Sequence, residues 1–397
     1  MRILMLSWEY PPYVVGGLGK HVAELLPALT QQDVELHLVT PLCEGGAGTQ
    51  HLGALTVHRV SVPHPCRMTF DAIQGTNQLL KQAADDLIAS GMHFDLIHNH
   101  DWLTSFAARD LKQTHRLALI TTIHATERGR GRGHLGNDNA ERINQAEWWL
   151  CYDAWRVIVC ADYMAGQVRD YFGKPRDNID IIPNGVDPTP FRQWDGVDLT
   201  AFRARYAEPD QKLVFHVGRM VHEKGVEVLI RSVPEVIREV PHTRVVIAGK
   251  GPELPYLERL VNDLDLSSHV QLLGFVSDED RNRLYHVADC AVFPSLYEPF
   301  GIVALEAMAA KTPVVVSAVG GLREVVQHAE TGITVYPNDA HSCAWGITHT
   351  LQHPDWAQQR VRNAIQRVNT TYSWHTIAAQ TREVYERVAK ERRRAIW

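Results

Sequence analysis

Cysteine is scarce in this 397-residue chain and never clustered: Cys43, Cys66, Cys151, Cys160, Cys290 and Cys343 stand far apart, with no C-x-x-C pair. That scatter excludes a disulfide-stapled small domain and a thiolate zinc motif, and it predicts free thiols in a reducing cytoplasm. Positive charge is not in excess either. The formal net charge of -6 argues against a partner held mainly through its phosphates, so nucleic acid is not expected. The one basic run, Lys390 to Arg394, reads as the solvated end of a last helix. No apolar run approaches the length of a membrane span. The opening Arg2 to Leu6 meets Trp8 and Glu9 too soon for a signal-peptide core and reads as a first strand.

What is present is an ordinary globular composition, 45% apolar and 22% charged, over a length that exceeds what one hydrophobic core usually serves. Short aliphatic and β-branched runs alternate with stretches of helical period, the pattern of parallel βα units. Strands are predicted near 2–8, 34–40, 55–62, 95–99, 119–123, 157–160 and 180–183, with 19–29 as the first crossover helix. A turn-rich segment from Pro183 to Pro190 reads as a linker. A second series then follows near 213–218, 244–248, 270–275, 290–293, 314–317 and 334–336. The expectation is an α/β chain of two Rossmann-like, doubly wound domains, 1–187 and 188–372, facing a central cleft. The helix 373–397 is expected to cross back to the first domain. Ligands of open α/β sheets bind at the carboxyl ends of the strands, which is where the candidate residues fall.

The most informative segment is Ser295 to Ala310. It follows an apolar strand and opens a helix. Pro299 suits a first helical position and pushes Glu298 onto the preceding loop. The amides of Phe300, Gly301 and Ile302 would then lie unpaired at the helix mouth, aimed at a phosphate or at hydroxyls. Glu306 would sit roughly 10 Å further along at about 1.5 Å per residue. It lies inside an apolar run, where a carboxylate needs a partner such as a ligand diol.

A second segment, His216 to Gly225, ends one strand and starts a helix. Its Arg219 offers a fork and its Lys224 a point charge, a pair suited to a leaving diphosphate without any metal. In the first half, Gly16 and Gly17 could cradle a phosphate or an acceptor hydroxyl between strand and helix. His124 ends one strand, and His100, Asp101 and Trp102 end another. Asp263 and Asp265 have the spacing of a metal-binding D-x-D, yet they close an amphipathic run and read as a helix end. No His/Cys spacing suggests zinc, so neither a metal nor a cofactor is expected. Taken singly, each of these residues has an ordinary structural explanation; it is their combination that points to chemistry.

That combination resembles the retaining glycosyltransferases of family 4, which have the double-Rossmann GT-B architecture. It includes the glycine-rich first loop, His124, Arg219 with Lys224, Gly249 to Pro252, Gly274 to Val276, and Glu298 with Glu306. The resemblance implies that Glu298 touches the transferred sugar, Glu306 the ribose, Arg219 and Lys224 the diphosphate, and backbone near Val276 the base. It places Gly249 and Gly251 on the donor side. It also implies metal-free front-face displacement, in which the leaving phosphate oxygen helps to deprotonate the acceptor. The segments Ser7 to Pro12, His100 to Trp102 and His124 to Arg130 are similar to glycogen synthase-type members, which extend α-glucans from ADP-glucose or UDP-glucose. The chain departs from the bacterial glycogen synthases of family 5 at Val14 and Val15, where those carry a lysine.

The expected partners are therefore ADP-glucose or UDP-glucose and a glucan or small glycoside acceptor. An alternative keeps the same machinery with another donor, such as GDP-mannose, and a lipid acceptor. The stretch Lys20 to Gln32 favours a soluble acceptor, because Lys20 and His21 are its only basic groups, set against Glu24 and the adjoining Asp33. A third possibility is a nucleotide-sugar-binding protein without catalysis.

Overall fold

The computed structural model describes residues 1–45, 48–63 and 68–395. The chain divides into two compact units, Met1–Gly185 together with the helix that starts at Trp374, and Val186–Ser373.

The first unit is built on an eight-stranded sheet: β1 (Arg2–Leu6), β2 (Glu35–Pro41), β3 (Thr49–Leu52), β4 (Leu55–Val60), β5 (Leu96–His100), β6 (Ala118–Ile123), β7 (Arg156–Val159) and β8 (Ile179–Ile181). Their order is β3-β4-β2-β1-β5-β6-β7-β8. Only β3 is antiparallel, pairing with β4. The central strands β1, β5 and β6 are almost wholly buried, as expected of parallel strands covered on both faces.

The helix Gly17–Thr30 lays Val22, Leu25, Leu26 and Leu29 against Ile3, Met5, Leu36 and Leu38. The helix Trp374–Arg394 completes the same cluster with Trp374, Ile377, Ala378, Val384, Tyr385 and Val388. Gly185 has no side chain for a steric reason: a Cβ there would lie 2.6 Å from the Trp374 ring.

The second unit holds six parallel strands: β9 (Lys212–Val217), β10 (Thr243–Ala248), β11 (Val270–Gly274), β12 (Cys290–Phe293), β13 (Val314–Ser317) and β14 (Ile333–Val335). They run in the order β11-β10-β9-β12-β13-β14, the doubly wound dinucleotide-fold order, which reverses between β9 and β12. The crevice at such a reversal is where ligands of these sheets bind. In the first unit the reversal falls between β1 and β5.

Two expectations need correcting here. The thiols Cys151, Cys160, Cys290 and Cys343 are free and buried, but Cys43 is disulfide-bonded, and Cys66 lies outside the described residues. Whether a disulfide can form depends on distance in space, on which sequence spacing is silent. The strand β3 was also not anticipated. Its residues are mostly exposed, so it lacks the apolar signature of its neighbours. Among the described residues no helix is long and apolar enough to cross a membrane.

Candidate active-site residues

In the second unit β11, β10, β9 and β12 are neighbours in the sheet, and the segments that follow them carry the donor-side candidates other than Gly16 and Gly17. Arg219 and Lys224 follow β9, and Glu298 follows β12. Lys224 Nζ lies 2.6 Å from Glu298 Oε2, with both side chains mostly buried. Ser295 Oγ donates to the same carboxylate oxygen at 3.4 Å. The two loops are tied by backbone as well, since the amides of Leu296 and Tyr297 donate to the Glu223 carbonyl. Gly225, at φ 62°, lets them close, because a Cβ would sit 2.1 Å from the Pro294 oxygen. Arg219 is more open. Its side chain is 50% exposed and lies 3.7 Å from Glu223.

Glu298 lies on a loop, as its neighbour Pro299 predicts, but Pro299 does not start the helix. The helix spans Ile302–Ala309 and is capped by Gly301 at φ 104°. A left-handed residue interrupts the α-conformation there, so Phe300 and Gly301 precede the helix and the anticipated helical spacing from Glu298 to Glu306 does not apply. The Gly321 amide, from the loop after β13, donates to the Glu298 carbonyl at 3.0 Å. Ile302 is the first helical residue, with an amide that has no partner within its own helix.

Glu306 is 3% exposed, and its partners come from the protein. Tyr285 Oη donates to its Oε2 at 3.1 Å, and Arg281 Nε lies 3.8 Å from the same atom. Burial raises the Tyr285 pKa, with the Glu306 charge adding to the effect. The desolvation argument for a ligand diol therefore falls away, because the carboxylate is already satisfied. On the ribose role implied by the family likeness, Glu306→Gln is expected to raise the donor KM about tenfold with kcat held, the cost of one weakened charge-assisted hydrogen bond. Initial-rate kinetics check this, and a fall in kcat at constant KM would contradict it.

Gly249 and Gly251 follow β10. A Cβ at Gly249, where φ is 142°, would lie 1.7 Å from the Gly218 carbonyl oxygen, and one at Gly251 would lie 2.3 Å from that of Met220. Their absent side chains are thus required by backbone crossing backbone, whatever ligand arrives. Gly249→Ala should destabilise the second unit by about 3 kcal/mol through overpacking and strain, measurable as a lower denaturant midpoint. An unchanged midpoint would show that the loop can move aside. Val276 follows β11 and is half-buried. The preceding Phe275 is 71% exposed, and Lys250 Nζ lies 5.3 Å from the centre of its ring. Asp263 is the last residue of the helix Leu254–Asp263.

In the first unit, the glycine-rich turn has an occupant already. Glu9 Oε2 accepts from the amides of Val15 at 2.8 Å and Gly16 at 3.1 Å, so the Gly16 amide is engaged inside the protein. A Cβ at Gly19 would lie 2.6 Å from that same oxygen. Gly17 begins the helix. Trp102 is 9% exposed and stacks on Phe70 with ring centres 5.7 Å apart, inside a cluster with Trp8, Ile73, Leu103 and Ile143. Its ring serves packing, which argues against an open acceptor platform.

His100 ends β5 and His124 follows β6, and their rings meet: His100 Nδ1 is 3.1 Å from His124 Nε2. Asp101, at φ 56°, accepts from the His124 amide at 2.7 Å. Burial lifts the Asp101 carboxyl to about 7 and lowers His124 to about 3, so the imidazole is neutral at physiological pH.

His21, beside Lys20 in the sequence, reads there as a basic surface group. It is 5% exposed and stacks edge-on against His124 with centres 4.7 Å apart. Its position one residue before Val22, on the face that also buries Leu18 and Leu25, was the available signal. The three histidines His21, His100 and His124 could together hold a metal ion, their ligand atoms all lying within 4.8 Å of one another. Sequence spacing could not anticipate this, because three separate elements bring them in. A cavity of about 550 Å³ lined by Phe70, Phe106, Arg109, Arg142 and Trp149 lies on the outer helices and includes none of the motif residues.

Comparison with known proteins fits this geometry. Residues 15–189 match the family described as Glycosyltransferase Family 4, and residues 199–367 match Glycosyl transferases group 1. An uncharacterised glycosyltransferase of Methanocaldococcus jannaschii is 37% identical over 97% of this chain and 98% of its own length. A glycogen synthase of Mycobacterium tuberculosis is 33% identical over 97% of this chain and 94% of its own. The solved sucrose-phosphate synthase of Thermosynechococcus elongatus superposes with a TM-score of 0.83 at 25% identity, covering 98% of this chain and 99% of that one. With both sheets wound as GT-B domains and its relatives matched nearly end to end, the chain belongs to the family 4 glycosyltransferases and is a glycogen synthase-like member.

Proposed function

We propose that the chain transfers glucose from ADP-glucose or UDP-glucose to an α-glucan or small glycoside, with retention of anomeric configuration and without a metal. The observation that carries this reading is the Lys224–Glu298 pair at 2.6 Å, placed where the strand order of the second unit reverses. A cation held against an acid that faces the sugar is ready to receive a departing diphosphate without reorganisation. Arg219, on the same loop, supplies the second positive group.

On this reading Glu298 positions the glucose, Glu306 holds the ribose, and backbone near Val276 meets the base. His124 acts on the reacting sugar through a neutral imidazole, with His100 and Asp101 behind it. The span 188–372 serves the donor and 1–187 the acceptor side, with the helix 373–397 returning to the latter. The choice of glucose rests on the sequence likeness to glycogen synthase-type members and on the name of the mycobacterial relative.

The test is nucleotide release from UDP-glucose and ADP-glucose in EDTA, with and without maltooligosaccharide, followed by NMR of the product linkage. An α-linked product from one of the two donors is expected. A β-linked product would overturn retention, transfer only from another nucleotide sugar would overturn glucose, and no release with any donor across a broad acceptor panel would favour a binding protein.

A further inference from the structure

His21 comes from the helix after β1, His100 from the end of β5, and His124 from the loop after β6. Their three rings form a closed triangle, with centres 4.7 Å apart for His21 and His124, 5.4 Å for His100 and His124, and 5.5 Å for His21 and His100. Two nitrogens in this buried group, His21 Nε2 and His100 Nε2, have no hydrogen-bond partner. A buried ring nitrogen without a partner is costly, and each of the two calls for an explanation.

The surroundings are those of a ligand set. His21 Nδ1 lies 2.7 Å from Asn184 Oδ1, so the amide oxygen takes its N–H and leaves Nε2 with a free lone pair. This is the outer-shell bond that fixes the tautomer of a metal-binding histidine. Imidazole-only sets suit zinc, copper, nickel and cobalt, not magnesium or calcium. Bonds of 2.0–2.1 Å to a tetrahedral ion put nitrogens about 3.4 Å apart, so the rings need to close by roughly 1 Å. Three protein ligands leave a fourth position open.

We propose that the first unit binds one zinc-class ion through His21, His100 and His124, and that the bound ion inhibits transfer. The inhibition half rests on the reading of His124 as a group that acts on the sugar, since an ion on its ring nitrogen removes that nitrogen from the reaction. The binding half does not depend on it. Transfer would thus proceed in EDTA and be shut off by micromolar zinc.

The experiment uses the full chain, stripped with EDTA and dialysed. Cobalt chloride is added first, and its visible spectrum reports coordination. Zinc chloride is then titrated against a chromophoric chelator. The expected result is one equivalent per chain, an intense tetrahedral cobalt band, and a zinc affinity at least about tenfold weaker in His21→Gln and His124→Gln.

Circular dichroism shows which variants are folded, and Asn184→Ala, which frees the His21 tautomer without removing a ligand, gives a third measurement. Absence of the cobalt band in wild-type protein overturns the site by itself. So does an affinity unchanged in the folded variants. A bound equivalent of zinc with undiminished glycosyl transfer overturns the inhibition and leaves the site standing. If no sugar is transferred under any condition, the proposed activity has failed, and the cobalt band still decides the binding.

Discussion

Replacing Arg219 by alanine is expected to lower turnover on the order of 10²–10³-fold with little change in donor affinity or stability. The expectation follows from the role proposed for it, one of two cations on a developing diphosphate, where a single preorganised group can carry that much of the barrier. Its half-exposed side chain and 3.7 Å separation from Glu223 mean that removing it costs the fold little, because exposed pairs contribute about 0–1 kcal/mol. Lys224→Ala should reduce turnover by the same order for the same reason, but it also strands Glu298. That carboxylate is 8% exposed, and breaking a buried pair from one side costs about 3–5 kcal/mol.

The two variants therefore separate chemistry from folding. Steady-state kinetics beside thermal melts should show loss of kcat alone for Arg219 and loss of both kcat and Tm for Lys224. A raised donor KM with kcat intact in the Arg219 variant would reject the leaving-group role.

A chain that stops at Ser373 is expected to lose the folded first unit altogether. The missing helix supplies Trp374, Ile377, Val384, Tyr385 and Val388 to the core that holds the sheet. At about 1.5–3 kcal/mol for each large apolar side chain fully buried, these five alone contribute on the order of 10 kcal/mol, comparable with the whole stability of a typical domain. Polar ties go as well. The Trp374 indole donates to Glu24 Oε2 at 2.5 Å, Trp155 donates to Glu391 at 2.7 Å, and Tyr385 Oη lies 2.6 Å from His98 Nδ1. Limited proteolysis with mass spectrometry should find cleavage throughout 1–185 while 186–373 stays protected. Protection of both halves would show that the helix is dispensable.

How far the sequence alone carries depends on the range of the interaction concerned. The parallel strands were legible because most are short apolar runs, the central ones buried on both faces, and the winding follows from their alternation with helices. The placement of Arg219, Lys224 and Glu298 at strand ends was legible for the same reason. What escaped notice was settled by contacts distant in sequence. Glu306 found Tyr285 and Arg281, each more than twenty residues upstream. The exception is local: Glu9 accepts from the loop amides of Val15 and Gly16, only six and seven residues on. Trp102 turned inward onto Phe70, and His21, whose place beside Lys20 reads as a surface charge, joined two histidines from the ends of β5 and β6. Local pattern also misjudged the mouth of the helix after β12, where Gly301 rather than Pro299 sets the start.

Because the helix beginning at Trp374 belongs to the same core as β1, the polypeptide emerging from a ribosome cannot finish its N-terminal half first. Everything that the second unit needs, residues 186–373, has been made before the last piece of the first exists. The usual vectorial order, N-terminal domain before C-terminal, is therefore reversed: the second unit can reach its native state during synthesis, while the first waits, incompletely covered, until the helix that begins at Trp374 has been made.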